Sequence, residues 1–199
     1  MNTTNIYLVR HGEYKSMGIM AGRLPGFELS GNGINQIKKT ADFLKNKGIT
    51  HIYSSPLLRT RQTANIIKQD LDLSFLSFSK YIIEIKSSLD GYLRSTLLKT
   101  NFDFYSDHYR KNGDETMDQI SNRMFTFINK VKNKHRGKNV IAVSHGDPIM
   151  IVRAVILKLP LVLNSIRDPE NPFMKCGEMF KVTIDSSDKF TIQKSFTLD

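Results

Sequence analysis

The sequence contains no tryptophan, a single cysteine, and 19 acidic residues against 29 basic ones. One cysteine, Cys176, excludes an intramolecular disulfide and suits a reducing, cytoplasmic compartment. No apolar run is long enough to cross a bilayer. The richest stretch, Pro148 to Leu163, is broken by Arg153, Lys158 and Pro160. Near the start there is no basic segment followed by a long apolar one, so no leader and no membrane partner are expected. The net charge of +10 attracts anions. It is not gathered into a basic run interleaved with aromatics, and the chain is rich in Lys, Asn and Ile throughout, so no nucleic-acid partner is expected. Metal-ligand spacing is also missing: 5 histidines are scattered and no carboxylates cluster. Without a Walker-type glycine loop, the chemistry must come from side chains alone, with no metal and no cofactor. There is no internal repeat and no low-complexity segment.

What the chain does have is length and pattern. Its 199 residues, 40% of them hydrophobic, suit about one α/β domain. Ile6 to Val9 is an apolar run rich in β-formers that leads straight into Arg10-His11-Gly12-Glu13. That reads as a buried strand of a parallel sheet with polar side chains at its C-terminal end, where open α/β sheets bind ligands. Gly12 lets the chain turn where a side chain would crowd a ligand. A second run, Asn139 to Val143, leads in the same way into Ser144-His145-Gly146, and a helix follows from about Pro148 to Lys158. Two buried strands that each end in His-Gly predict paired imidazoles in one crevice.

Between them, Ser30 caps a helix whose Ile34, Ile37, Ala41 and Leu44 share a face and which Gly48 ends. Ile49–Ser55 reads as a strand, and Pro56 opens a helix running to about Gln69. Arg59 lies near that helix's start, where a cation is unfavourable unless an anion sits between it and the backbone N–H groups; Arg61 reads as a solvated neighbour. Lys80–Ile85 reads as a third strand. From Lys86 to Asn112 the pattern is irregular and aromatic, an excursion over the site. Asp114 is expected to cap a helix with its stripe at Met117, Ile120, Met124, Phe127, Ile128 and Val131. Pro160 to Gly177 forms a rim or lid, and Met179–Ile184 with Phe190–Phe196 flank Ser186-Ser187-Asp188 as a hairpin. Strands alternating with helices predict a sheet covered on both faces.

Arg10-His11-Gly12, Ser54-Ser55-Pro56-Leu57-Leu58-Arg59-Thr60-Arg61-Gln62-Thr63-Ala64 and His145-Gly146, in that order over nearly the whole chain, resemble the histidine phosphatase, or phosphoglycerate mutase-like, superfamily. The resemblance implies a three-layer α/β/α sandwich with a mostly parallel central sheet and a single domain over 1–199, with the active-site excursion at about 86–112. It also implies that His11 is a phosphorylated nucleophile and His145 a second catalytic histidine. Arg10, Arg59, Gly146 N–H and Arg23, which follows Gly22, would contact phosphate, and Glu84 would be the general acid. Gly113-Asp114-Glu115-Thr116 matches a further signature, with Arg123 after it. The family's acid segment usually continues with a Trp-Glu-Gly stretch, whereas here Ile85-Lys86-Ser87-Ser88-Leu89-Asp90-Gly91 keeps only Asp-Gly. Glu13, Asp90 and Asp147 are therefore rival acids.

Phosphoryl transfer needs a nucleophile, positive charge on the equatorial oxygens and a proton for the leaving group; these residues supply all three. The expected function is cofactor-independent hydrolysis of a small phosphorylated metabolite. The alternatives are a phosphoglycerate mutase and a silent phospho-ligand or protein-binding module. Mutases of the superfamily follow Arg-His-Gly with a Glu-Ser-x-Trp-Asn type stretch; Glu13-Tyr14-Lys15-Ser16-Met17 has neither Trp nor Asn.

Overall fold

The computed structural model describes residues 3–168, 170 and 172–198. Six strands form one sheet in the order β3-β2-β4-β1-β5-β6. They are β1 (Thr4–Arg10), β2 (Ile49–Ser54), β3 (Leu76–Phe78), β4 (Asn139–Ser144), β5 (Met179–Ile184) and β6 (Phe190–Phe196). The first four in spatial order run parallel, and β5 and β6 add an antiparallel hairpin on the β1 side.

Alternation along the central strands divides the core in two. Ile6 and Leu8 of β1, with Val140 and Ala142 of β4, face a layer built from α4 (Met117–Lys134) and α5 (Gly146–Ile156). Tyr7, Val9, Ile141 and Val143 face the opposite layer, α1 (Gly31–Leu44) and α2 (Leu58–Asp70). Both faces of β1 and β4 are thus covered, which is why they read as unbroken apolar runs. The architecture is the expected three-layer α/β/α sandwich with a mostly parallel sheet. Two short helices, α3 (Arg94–Leu98) and α6 (Leu163–Ile166), lie within the excursion and the rim loop. Among the described residues no helix is long and apolar enough to cross a membrane. Pro169 and Asn171 of the rim lie outside the described residues.

Four local expectations are corrected. Lys80–Ile85 is not a strand: the third strand is Leu76–Phe78, and Lys80–Ile82 forms a 3-10 turn. Side chains take up the backbone there. The Ser79 hydroxyl accepts from Tyr81 N–H, Arg123 donates to the Tyr81 carbonyl, and Ser144 Oγ donates to the Ile82 carbonyl. The β-forming residues Ile82 and Ile85 are buried in anchoring this crossing segment. Thr116, not Asp114, caps α4, in a reciprocal capping box with Gln119. Asp114 instead accepts from Ser88 and Lys111. Pro56 precedes α2, whose N-cap is Leu57. Finally, α5 begins at Gly146; Pro148 is its third residue, where a missing N–H costs no helical bond.

Candidate active site

Adjacent strands β2, β4 and β1 end at the same edge, and each delivers polar side chains there: Ser55, His145, and Arg10 with His11. The backbone locks them together, with His11 N–H and Ser55 N–H donating to the Ser144 and Val143 carbonyls at 3.1 and 3.0 Å. The two imidazoles lie 5.2 Å apart, centroid to centroid. Arg59 enters from the first turn of α2, and Glu84 from the segment after the 3-10 turn. His11, Arg59, His145 and Glu84 are 2%, 2%, 0% and 6% exposed, so every charge is desolvated and local partners decide its state.

Arginine can only donate, and this fixes the histidine tautomers. Arg59 Nε donates to His11 Nε2 at 3.1 Å, while His11 Nδ1 lies 2.8 Å from the Gly12 carbonyl. The His11 proton is therefore on Nδ1, and Nε2 carries a lone pair. An Arg59 terminal nitrogen approaches His145 Nδ1 at 3.1 Å, so the His145 proton is on Nε2, facing Ser55 Oγ at 2.9 Å. Burial, then the charges of Arg59 and Arg10, hold His11 well below the usual imidazole range. Burial and Arg59 do the same to His145. Both rings are neutral at pH 7. Tyr14 adds an aromatic edge to His11 at 5.5 Å and a face to the Arg59 guanidinium at 5.2 Å.

The Glu84 carboxylate lies 3.5 Å from Arg59 and 3.4 Å from His145 Nδ1. Burial pushes its pKa up to about 7, against the opposing pull of Arg59 and the Ile85 N–H. A carboxyl poised near neutrality is suited to passing a proton in either direction. The rivals are placed otherwise. Glu13 accepts from Ser30 and Asn32 on an exposed face. Asp90 accepts from Arg23 N–H. Asp147 is buried against Arg167 and accepts from Tyr105 at 2.7 Å.

Arg10 donates to the Met174 carbonyl, and its buried Nε has no partner among the described residues. Arg23 does not point at the histidines. It donates to the Glu84 carbonyl at 2.8 Å and to Glu115 at 2.7 Å. Arg123 donates to Glu115 at 2.9 Å and to the same Glu84 carbonyl at 3.3 Å. Glu115 thus clamps two arginines onto the backbone of Glu84. Gly22, next to Arg23, accepts from Arg59 at 2.9 Å.

Two glycines are required by close approach. At Gly12 a Cβ would meet the Gly33 carbonyl of α1 at 2.7 Å and Ile37 at 2.8 Å, so a helix, not a ligand, crowds this turn. At Gly146 it would meet the Phe173 ring at 2.4 Å. That glycine lets the rim loop close over the start of α5, whose first N–H groups are free of intrahelical partners.

Nitrogen and oxygen atoms of His11, Glu84 and His145 fall within 4.8 Å of one another, a spacing a cation could use. The donor set does not fit one. Arg59 N–H groups occupy the His11 Nε2 and His145 Nδ1 lone pairs that a metal would need. The arrangement suits an anion, which would take over those N–H groups.

Beside the cluster lies a cavity of about 280 Å³. Arg10, Glu84, Gly146 and Asp147 form its inner wall. Arg94, Phe102 and Phe104 from the excursion and Arg167 and Phe173 from the rim line it further.

The family model for the histidine phosphatase superfamily, branch 1, matches residues 6–165. The chain belongs to that superfamily. Within it, the chain is 30% identical over 171 residues to a probable phosphoglycerate mutase, GpmB, of Proteus mirabilis, covering 78% of this chain and 75% of that one. It is 29% identical over 168 residues to phosphoserine phosphatase 1 of Hydrogenobacter thermophilus, covering 78% and 77%. The solved structure of Bacillus stearothermophilus YhfR superimposes with a TM-score of 0.84 at 20% identity over 98% of both chains, a likeness of fold.

Three contributors stand in the matched motifs but were given no role from sequence in this member of the superfamily. Ser55 stands at a strand end beside His145, where the same rule that picked out His11 applies. Thr63, which accepts from Gly12 N–H at 3.1 Å, is one turn along α2 from Arg59. Glu115 and Arg123 lie in a matched signature, but their clamp on Arg23 and on the Glu84 backbone joins three distant segments and could not be read from it.

Proposed function

We propose that this chain is one histidine phosphatase domain hydrolysing small phosphomonoesters through a phosphohistidine on His11. The observation that carries this is the anchored His11 tautomer. Its Nδ1–H is held by a backbone carbonyl, and its Nε2 lone pair faces the guanidinium of Arg59.

In the first step, Arg59, Arg10 and the Gly146 N–H take the phosphate oxygens, and the phosphate displaces Arg59 from Nε2. The Nε2–P bond forms as the P–O ester bond breaks. Glu84 gives its proton to the departing alcohol oxygen. His145, its field now set by an anion, gains a proton and becomes a further donor. These contacts strengthen as charge builds on the equatorial oxygens. In the second step water attacks phosphorus, its proton returns to the Glu84 carboxylate, and the N–P bond breaks to release inorganic phosphate. Arg23, Glu115 and Arg123 work indirectly, by holding the Glu84 backbone in place.

The phosphatase relatives support hydrolysis. The mutase relative favours a second reading, in which a hydroxyl takes the place of water. Rapid quench with a ³²P-labelled aryl phosphate tests the first. The expected adduct is acid-labile, base-stable and lost in His11→Ala; an adduct on any other residue overturns the assignment. An enolase-coupled assay with and without 2,3-bisphosphoglycerate separates the two readings. Mutase turnover well above phosphate release would reject the hydrolase.

A further inference from the structure

Glu84, the proposed proton donor to the leaving alcohol, lines the 280 Å³ cavity together with Arg10 and Gly146. On the phosphatase reading, the alcohol portion of the substrate must therefore occupy this cavity. Its size falls just below the usual small-molecule range of about 300–1,000 Å³.

The walls have two characters. Met20, Ile85, Leu98, Phe102, Phe104 and Phe173 make most of the surface apolar. Set among them are two cations with capacity to spare. Arg94 stacks on Phe102 at 5.3 Å and has no acidic partner among the described residues. Arg167, whose side chain is 8% exposed, is neutralised by Asp147, but its buried Nη1 has no hydrogen-bond partner among the described residues. A buried unpartnered N–H is costly unless something else satisfies it.

The excursion is also strained where it forms this wall. Asn101 and Phe102 both adopt left-handed backbone conformations, at φ 52°. For a bulky residue such as Phe that is a real outlier. Strain of this kind persists where the surroundings fix it, and ligand clamps are common places. Here the strained turn sets the Phe102 ring against Arg94.

With Arg10 and Arg59 committed to phosphate and Arg167 to Asp147, Arg94 is the positive charge left over. We infer that the substrate is a phosphomonoester whose alcohol has an apolar body ending in a second acidic group, the body lying against Phe102 and Phe104 and the acid meeting Arg94. Arg167 Nη1 offers that group a further donor. This rests on the phosphatase reading only for its placement of the leaving group.

Phosphonates carry a C–P bond that the site cannot break, so they report binding to the intact wild-type protein. We would titrate 4-(carboxymethyl)benzylphosphonate and 4-ethylbenzylphosphonate calorimetrically. The two share the aromatic body and differ in the acid. The acidic compound should bind about tenfold more tightly, as a charge-assisted contact predicts. Arg94→Gln should narrow that ratio to within about twofold, and Arg94→Lys should keep part of it. The neutral compound should in turn bind more tightly than 2-hydroxyethylphosphonate, with the gap reduced in Phe102→Ala. Equal binding of the two benzylphosphonates to wild type, or a preference that survives Arg94→Gln, overturns the inference. Turnover of the corresponding phosphate esters is followed in parallel. Selective binding without phosphate release rejects the phosphatase reading alone, and phosphate release without selectivity rejects this inference alone.

Discussion

Two pairs of histidines touch in this molecule, one at each end of the parallel strands. His11 and His145 meet at the C-terminal edge with centroids 5.2 Å apart and planes at 63°. His51, near the start of β2, and His135, at the end of α4, meet with centroids 4.0 Å apart and planes at 50°. Both pairs have depressed pKa values, and burial is the largest cause each time. Neither ring contact nor pKa direction therefore distinguishes the proposed catalytic pair from the other. The partners do. The first pair is bridged by one buried arginine and flanked by a carboxyl near neutrality. The second is finished by a Tyr53 hydroxyl at 2.9 Å from His135 Nε2 and by Phe75 stacked on His51. It has neutral hydrogen bonding and packing with the charges of Lys134 and Lys138 nearby, but among the described residues no buried arginine bridges it and no carboxyl flanks it.

The sharpest way to break that comparison is to remove one histidine from each pair. His11→Ala should reduce aryl phosphate turnover to background. His135→Ala should leave kcat within about twofold while costing about 1–3 kcal/mol of stability, the range for a lost buried hydrogen-bond partner. Comparable loss of turnover in both variants would mean that the pairs are not different in kind.

Glu84→Gln should slow esters with poor leaving groups by roughly 10²–10⁴-fold and activated aryl esters much less. In the wild type, turnover of the poor esters should fall as pH rises past the Glu84 value of about 7, and that limb should vanish in the variant. Uniform loss along a leaving-group series would instead make Glu84 structural and return attention to Asp147.

A smaller effect is expected from Glu115→Gln. With two arginines released from their clamp, the Glu84 backbone loses its fixed position, and kcat for poor leaving groups should fall roughly tenfold with the alkaline limb displaced. Glu115→Asp should restore part of both. A thermal shift with an unmoved pH profile would show that the clamp serves only folding.

The smallest effect concerns the far pair. The pKa of His135 is pushed down from 6.5 to about 4, so between those values the unfolded chain binds more protons than the folded one. Its contribution to stability is fully present above pH 6.5 and is lost as pH falls toward 4. Denaturant titrations from pH 7 to 4 should show stability declining, with a shallower decline in His135→Phe. Identical slopes would contradict the assignment.

Much of this architecture was legible because local chemistry and tertiary demand coincide. The hairpin came out to the residue because Ser186-Ser187-Asp188 interrupts two β-rich runs. The strand ends at His11 and His145 stood out because strands covered on both faces carry no polar residues until they reach the edge. Where the two diverge, the reading failed. The Lys80–Ile85 run is rich in β-formers, but Ser79, Arg123 and Ser144 take the backbone groups a ladder would need. Asp114 has the chemistry of a cap and is spent on Ser88 and Lys111. The orientation of Arg23 toward Glu84 depends on Glu115, some 90 positions away, which no window of sequence brings into view.

The placement of β1 has a consequence for how the protein is made. Among the described residues the strand carrying His11 pairs with β4 and β5 alone, so Asn5 lies opposite Asn139 and Thr4 opposite Ile184. During synthesis, Ile6-Tyr7-Leu8-Val9 can pack against α1 and α2 but has no native strand partner until residues beyond 139 emerge. At about 5–20 residues per second, that wait is roughly 7–27 s. Through it, this apolar run keeps unpaired backbone groups able to join other nascent chains. The central position that buries His11 so completely in the folded protein thus leaves its strand waiting longest for a partner while the chain is being made.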